Sequence, residues 1–469
     1  MELLIVIAAL AFLMLAAYRG YSIILMAPIA ALGAVLLTSP TNVFPMFTNH
    51  FMPSMVVFVQ NYFPVFLLGA VFGKLIELSG FSKSIVASVV KWVGQERAIL
   101  AIVLVCALLT YGGVSLFVVV FAVYPFAAEL FRQNGIPKRL IPGVVALGAF
   151  SFTMDALPGT PQIQNIIPTS YFKTTSWAAP TLGTLGSIFI LIVGIMYLNY
   201  RRRSLMAKGE GYSDGVHALV NEPAPVDTSR LPSPILSICP LFLIGIANFA
   251  LTRLIPIWYG TEHTVSKDLM PGLAQPIVVP INKVLGIWAV EGALLIGIIF
   301  IILTAWSSIK TSIAEGSKSA VAGAMLAGLN TASEYGFGAV IASLAGFAVV
   351  KGALAAIPDP LVNAAVSVTS LAGITGSASG GMSIALAALS EQFIAVANAA
   401  NIPMEVLHRV VAMASGGMDT LPHNGAVITV LAVTGLTHRE SYRDIFAVTC
   451  LKTLAVFVVI ALYYMTGLV

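Results

Sequence analysis

The segment "GGMDTLPHNG" (residues 416–425) places an aspartate, a histidine, a proline and three glycines in a chain that is otherwise strongly apolar. A similar segment, "FTMDALPGTPQIQN", occupies residues 152–165 and carries Asp155 where the first carries Asp419. Proline and glycine interrupt helices, and a broken helix leaves unpaired N–H groups at one half and unpaired C=O groups at the other. Both segments therefore predict helix breaks that expose polar groups inside an apolar protein.

The composition indicates what surrounds these breaks. Of 469 residues, 58% are hydrophobic and 9% are charged, and the mean hydropathy is +0.95. Because hydrocarbon cannot hydrogen-bond to the backbone, a membrane span must be a helix or part of a closed barrel, and a barrel would show alternating segments of about 10 residues. Such segments do not occur in the sequence, which predicts an all-α polytopic membrane protein.

Apolar segments of about 20 residues, the length that crosses a bilayer, recur from end to end. The predicted full spans lie at residues 3–18, 22–39, 55–79, 140–172, 181–200, 234–255, 284–304, 319–350, 405–435 and 445–466. The spans at about 140–172 and about 405–435 contain the two breaks, and they are the predicted broken helices.

Two further apolar stretches, about 98–131 and about 363–397, are interrupted by Gly-Gly pairs in "YGGVS" (111–115) and "SASGGMS" (377–383). We predict that each folds back as a re-entrant hairpin, because glycine permits a tight turn and irregular backbone is tolerated at membrane depth inside a protein. The first hairpin then keeps five basic residues on one side of the membrane: Lys91, Arg97, Arg132, Lys138 and Arg139.

The distribution of basic residues predicts the orientation. With the amino terminus outside, all but six of the 24 Lys and Arg residues lie on the cytoplasmic side, as the positive-inside rule requires. The six assigned to the outside are Lys173, Arg253, Lys267, Lys283, Lys351 and Arg409. The sequence thus predicts a multi-pass protein of the plasma (cytoplasmic) membrane.

Four sequence blocks recur in the same order. They are "NYFPVFLLGAV" with "NTASEYGFGAV", "GGVS" with "GGMS", "GIPKRLIPGVVAL" with "NIPMEVLHRVVAM", and "MDALP" with "MDTLP". With five spans, one hairpin and one broken helix in each half, the halves would insert with opposite topology, as in many secondary transporters. We predict a first inverted repeat at 1–200, a cytoplasmic linker at 201–232 and a second inverted repeat at 233–469.

The predicted substrate site is formed by the hairpin tips and by polar residues at the breaks. Glycine lets backbone approach a ligand closely, and hydroxyl and amide groups suit hydroxyls and carboxylates. Hydrogen bonding between helices would explain the same amides equally well. The candidate binding residues are Gly112, Gly113, Ser115, Thr160, Gln162, Gly380, Gly381, Ser383 and Asn424.

Four ionisable residues in apolar surroundings are candidates for proton coupling: Asp155, Asp419, His423 and Glu334. Ionisable groups are costly in a membrane and are therefore functional candidates. The aspartates could instead only cap half-helices, and His423 could be a satisfied interior histidine. Glu334 has only Val65 opposite it in the repeat, so this carboxylate is present in one half alone.

At its hairpin tips and its two "MD-x-LP" breaks, the chain resembles the gluconate:proton symporter family, within the larger ion transporter superfamily. The resemblance extends over nearly the whole length. It implies a secondary-active importer of small organic acids, a homodimer with a scaffold domain and an elevator-like transport domain, driven by the proton gradient and needing no cofactor. The sodium-coupled carboxylate branch carries Ser-Asn-Thr at its tips, where this chain has Gly-Gly-Val-Ser and Gly-Gly-Met-Ser, so sodium is the less expected coupling ion.

The same residues are compatible with other functions. A cation/proton antiporter or a channel would also use intramembrane carboxylates. An intramembrane aspartic protease needs two embedded aspartates sharing a proton, but it does not need two inverted hairpins. The sequence lacks a G-x-x-x-x-G-K-[ST] motif, so transport would be gradient-driven or would need a partner. The expected partners are an organic acid and the lipid bilayer, with no nucleic acid.

Overall fold

The computed structural model describes residues 1–224, 230–268, 270, 272 and 274–469. Regular structure in this part of the chain is almost entirely helical. Among the described residues, six helices are long and apolar enough to cross a membrane, or up to eight if each of two bent helix pairs is one span. The prediction of an all-α polytopic membrane protein is confirmed.

The helices of the first half are α1 Glu2–Tyr18, α2 Ile23–Thr38, α3 Val43–Met46, α4 Met52–Leu78, α5 Phe81–Val93, α6 Ala98–Tyr111, α7 Leu116–Gln133, α8 Ile141–Ala149, α9 Phe152–Asp155, α10 Ile163–Phe172 and α11 Pro180–Met206. Short 3-10 turns lie at Pro40–Asn42, Gln95–Arg97 and Lys138–Leu140, and a π turn lies at Phe47–Phe51. Helix α11 continues through "RRR" at 201–203, so the first residues of the predicted linker are helical.

The second half contains α12 Pro234–Tyr259, α13 Ile281–Ile309, α14 Ile313–Ser343, α15 Ala345–Ala355, α16 Pro360–Thr375, α17 Ala378–Ala399, α18 Met404–Ser415, α19 Gly425–Thr434 and α20 His438–Thr466. Two strands, β1 Glu262–Val265 and β2 Ile277–Pro280, form an antiparallel ladder in the connection between α12 and α13. Glu262 is paired with Pro280.

The two halves present their elements in the same order. From α4 onward the first half runs helix, short helix, helical hairpin, broken helix and long helix, and the second half repeats this order from α14. The equivalent helices α4 and α14 pack against each other and run antiparallel. Their contacts show this direction: Gly316 faces Leu78 at one end and Gly336 faces Phe51 at the other. One continuous apolar core contains residues of both halves.

The predicted span at 319–350 is not one continuous helix. The chain bends by 93° between α14 and α15, and Leu344 at the bend has an extended backbone. This part of the sequence carries no helix-breaking proline. The bend accompanies tertiary packing: α15 lies against α1, and Gly346 is so close to the Glu2 carbonyl that a side chain there would overlap it.

The two hairpins turn at different places relative to their glycine pairs. Helices α6 and α7 are joined through Gly112–Ser115, with Gly113 at a positive φ of 92°. Helices α16 and α17 are joined at Gly376, whose φ is 63°, and Ser377, which caps α17. The predicted second tip at 380–383 is therefore corrected: Gly380 and Gly381 lie in the first turn of α17, where they allow close packing.

The linker is packed against both halves. Residues 225–229 of the predicted linker lie outside the described part of the chain. Before them, the Lys138 ammonium, which is fully buried, donates to Val220 O at 2.9 Å and to Glu222 at 2.6 Å. Asn221 donates to Ala432 O, at the end of α19, at 2.8 Å. The linker therefore connects the first repeat to the last part of the second.

Candidate functional site

Both predicted breaks are present, and they meet. The first separates α8 from α10 around the single turn α9, and the second separates α18 from α19. Asp155 is 2% exposed and Asp419 is 3% exposed. Asp155 belongs to the first half, yet its carboxylate lies so close to Gly416 of the second that a side chain there would overlap it. The end of α18 is thus shaped to receive Asp155.

A lysine from the last helix links the two breaks. The Lys452 ammonium lies 2.7 Å from Asp419 Oδ1 and 2.7 Å from the carbonyl oxygen of Phe150, which ends α8. Lys452 is 2% exposed, so this ion pair is buried. A buried ion pair is balanced only while both partners keep their charges, because removing one charge leaves the other unpaired in the interior.

A fully buried arginine organises the first break. The Arg409 guanidinium donates to Asp155 O at 3.0 Å, to Ala178 O at 2.7 and 3.2 Å, and to Asn165 Oδ1 at 3.0 Å. The neighbouring His408 contacts Thr174 Oγ1 at 2.6 Å through Nδ1. Arg409 therefore satisfies one carbonyl that the break leaves unpaired, that of Asp155, and a second in the connection between α10 and α11, that of Ala178.

The sequence predicts that Arg409 lies on the outer side, and its motifs do not single out Lys452 or His408. The assignment of Arg409 is corrected: its side chain is fully buried at the first break. The repeat indicates that His408 and Arg409 are unusual. Their equivalent positions in the first half are Pro142 and Gly143, so neither residue has a charged counterpart. Lys452 also carried a signal, as a lone charge inside a predicted span.

In each half, an amide side chain connects the break to its hairpin. Gln162, the N-cap residue of α10, donates to Thr110 O at 2.7 Å and to Val114 O at 3.3 Å, on either side of the first hairpin turn. Asn424, the N-cap residue of α19, donates to Gly376 O in the second hairpin turn at 2.8 Å. These predicted binding residues therefore use their donors to position the hairpins.

Glu334 lies at the second hairpin. It is 3% exposed, its carboxylate lies near the Ser377 side chain, and a side chain at Gly380 would overlap that carboxylate. The His423 ring lies so close to Gly376 that a side chain at that position would overlap the ring. Its Nε2 atom has no hydrogen-bond partner among the described residues. The structure therefore brings Glu334, His423 and Asn424 together around one turn.

The remaining predicted residues are buried to different degrees. Gly112 packs on Leu241 of α12, and Gly381 packs on the backbone of Ala372. Thr160 donates to Thr153 O at 2.8 Å. Gly113 lies against Pro161, and Ser115 is the partly exposed N-cap residue of α7. In the described part of the chain, buried polar atoms without a partner include Asp155 Oδ2, Gln164 Oε1 and Ser383 Oγ.

These contacts describe a closed site. Asp155, Asp419 and Glu334 are nearly inaccessible to solvent, and each is held by contacts that cross between segments distant in sequence. The carboxylate of Asp155 keeps one oxygen without a hydrogen bond, so it can accept a proton or a donor group without first losing a partner.

Comparison with known proteins identifies a relative along the entire chain. The uncharacterized transporter YxjC of Bacillus subtilis (strain 168) is 56% identical over 477 aligned residues, covering 100% of both chains. No protein-family model matches the chain. The prediction of a transporter and not an enzyme is confirmed.

A solved structure shows a similar fold. The YdaH transporter of Alcanivorax borkumensis, whose crystal structure has an unusual topology, aligns with a TM-score of 0.53 over 92% of this chain and 90% of its own. The two sequences are 16% identical, so the likeness concerns the fold alone.

Proposed function

The chain belongs to the family of membrane transporters that includes YxjC, and from this premise we propose that it imports a small hydroxy acid, such as gluconate, by proton symport. The observation that carries the proposal is the pair of buried breaks, with Asp155 and Asp419 beside the cations Arg409 and Lys452. Such a site offers positive charge and helix ends to a polar anion while excluding water.

Proton coupling is assigned to Asp419, with Asp155, Glu334 and His423 assisting. Protonation of Asp419 removes one charge from its pair with Lys452 and leaves the ammonium with an excess positive charge in the interior. An organic anion can compensate for that charge. Proton and anion binding would then favour each other, which is the requirement for symport.

Alternating access is supported by the inverted repeat. Helices α4 and α14 occupy equivalent places in the repeat and run antiparallel, as expected for halves of opposite topology. In this proposal the repeats span 1–200 and 233–469, and the "GGVS" hairpin gates from the cytoplasm while the second hairpin gates from outside. The transporter is a homodimer of the plasma membrane and moves its hairpins by an elevator-type motion.

The proposal is tested by uptake of labelled gluconate into proteoliposomes. An inward proton gradient should concentrate gluconate in wild-type vesicles. Asp419→Asn should abolish this accumulation and retain part of the exchange of gluconate across the membrane, because the substrate site remains while the proton carrier is lost. Accumulation by Asp419→Asn in response to an imposed pH step would exclude Asp419 as the coupling residue. Proton-dependent cation flux without gluconate movement would indicate an antiporter.

Cysteine labelling tests the gating assignment. Val114 and Met382 are fully buried in the closed structure, so either site should become reactive only when its hairpin opens. In a background without Cys106, Cys239 and Cys450, Val114→Cys should react with an impermeant thiol reagent from the cytoplasm and Met382→Cys from outside, with gluconate protecting both. Reaction of both from one side would contradict the inverted arrangement.

A further inference from the structure

The carbonyl end of α8 faces a carboxylate, an arrangement typical of a cation-binding site. The last carbonyl groups of a helix carry a partial negative charge, and broken helices in transporters use such ends to bind coupling cations. Here the Phe150 carbonyl and the Asp419 carboxylate converge on one point. That point is occupied by the ammonium of Lys452, at 2.7 Å from each oxygen.

The charges around this point are already balanced, so a second cation there would be unfavourable. Asp155 interacts electrostatically with Lys452, with Asp419 and with Arg409, so two carboxylates are matched by two cations. Tyr442, one of the residues of α20 itself, lies near Asp419 and donates its hydroxyl to Thr420 O at 3.1 Å. Helix α18 also packs against α20: its Glu405 is exposed, its His408 contacts Thr174 and Asn165, and its Arg409 donates to Asp155 O and Ala178 O. The described residues of α8, α16 and α19, which pack against α20 as well, carry no ionisable side chain.

The other charged groups that contact α20 lie elsewhere on it. Arg201 and Tyr197 of α11 bind Asp444, eight residues before Lys452 and so about 12 Å away along the helix. The Arg139 backbone, near the start of α8, accepts from Ser441. These groups do not compete for the position between Phe150 and Asp419.

We infer that Lys452 is a tethered cation that takes the place of a sodium ion between the α8 carbonyl end and Asp419, and that it thereby makes the carrier respond to protons. The inference rests on the proposed function and adds a residue to it. When a proton from the outer solution binds the Asp419 carboxylate, the ion pair is discharged and the ammonium keeps its contact with Phe150 O. When the proton leaves to the cytoplasm, the pair re-forms. Because the cation is covalently attached, sodium has no vacant position to enter.

The test compares sodium with potassium on the thermal unfolding of purified full-length protein. Wild type should unfold at the same temperature in about 100 mM of either chloride. Lys452→Met fills the space of the lysine stem and vacates only the ammonium position, so sodium should raise its unfolding midpoint by roughly 2–4 °C over potassium. Lys452→Met/Asp419→Asn should lose this difference because the carboxylate is absent. Lys138→Met, which removes another fully buried lysine, is the matched control and should show no sodium effect.

Transport supplies the second measurement. In proteoliposomes, a proton gradient but not a sodium gradient should drive gluconate accumulation by wild type, and Lys452→Met should lose the proton-driven accumulation. A sodium effect on the wild-type midpoint, the lack of one in Lys452→Met, or proton-driven accumulation by Lys452→Met would each overturn the inference.

The inference can still be tested if Lys452→Met does not fold or if the proposed substrate is wrong. Should Lys452→Met not fold, Lys452→Ala replaces it with the same expected sign, and sodium-driven uptake by wild type overturns the inference without any variant. Should wild type transport no hydroxy acid, the proposed substrate is wrong, while the sodium dependence of the unfolding midpoints still decides the role of Lys452.

Discussion

Replacing Arg409 by methionine should destabilise the protein more than replacing any exposed arginine. Methionine keeps much of the apolar stem but removes every donor of the guanidinium. The side chain is fully buried and donates to Ala178 O, Asp155 O and Asn165 Oδ1. These acceptors belong to the first repeat, whereas Arg409 belongs to the second, so the substitution weakens a contact between the halves.

The magnitude follows from the acceptors that lose their donor. Asn165 Oδ1 keeps a contact with His408 Nε2 at 3.3 Å, so two backbone carbonyls, those of Asp155 and Ala178, lose the arginine. A buried acceptor without a donor costs about 1–3 kcal/mol, giving roughly 2–6 kcal/mol for the pair. Removing a buried guanidinium also removes its desolvation cost, so we expect a net loss of about 2–4 kcal/mol.

Equilibrium unfolding of the purified protein in detergent micelles, followed by tryptophan fluorescence, measures this loss. Arg409→Lys keeps the charge but not the fork of donors, so its loss should lie between wild type and Arg409→Met. Arg203→Met, at the exposed end of α11, is the matched control and should change stability by less than about 0.5 kcal/mol. Equal shifts for Arg409→Met and Arg203→Met would refute the assignment of Arg409 as the residue that secures the break.

Two further outcomes follow from the packing of the second hairpin and of the linker. Gly380→Ala should impair gluconate uptake, because its Cβ would overlap the Glu334 carboxylate, whereas Gly425→Ala, which meets nothing within 4 Å, should be tolerated; equal uptake rates for the two variants would contradict this. Partial burial raises the pKa of Glu222, but hydrogen bonds from Lys138, Arg132 and Tyr212 outweigh it and lower the pKa below 4.5. The carboxylate therefore stabilises the docked linker above the unfolded pKa, and limited proteolysis should show protection down to about pH 4.5 that is lost as the pH falls further. Glu222→Gln should be cleaved readily even at neutral pH, and full protection of this variant would show that the ion pairs do not hold the linker.

The sequence by itself determined the helical membrane class and the position of both breaks. These are local properties: an apolar segment in a bilayer must satisfy its own backbone, and proline and glycine interrupt a helix wherever they occur. The "MD-x-LP" repeat therefore placed Asp155 and Asp419 at helix breaks, where the structure has them. The repeat also predicted two halves with matching elements.

Only the tertiary structure decided what surrounds the breaks. The partners of Arg409 and Lys452 include backbone carbonyls 254 and 302 residues away, and no periodicity or spacing in the sequence encodes such a contact. The bend at Leu344 likewise accompanies packing of α15 against α1, since no proline near Leu344 marks a break in the sequence. Local chemistry specifies where a helix can end, but which buried charge satisfies that end depends on how the whole chain packs.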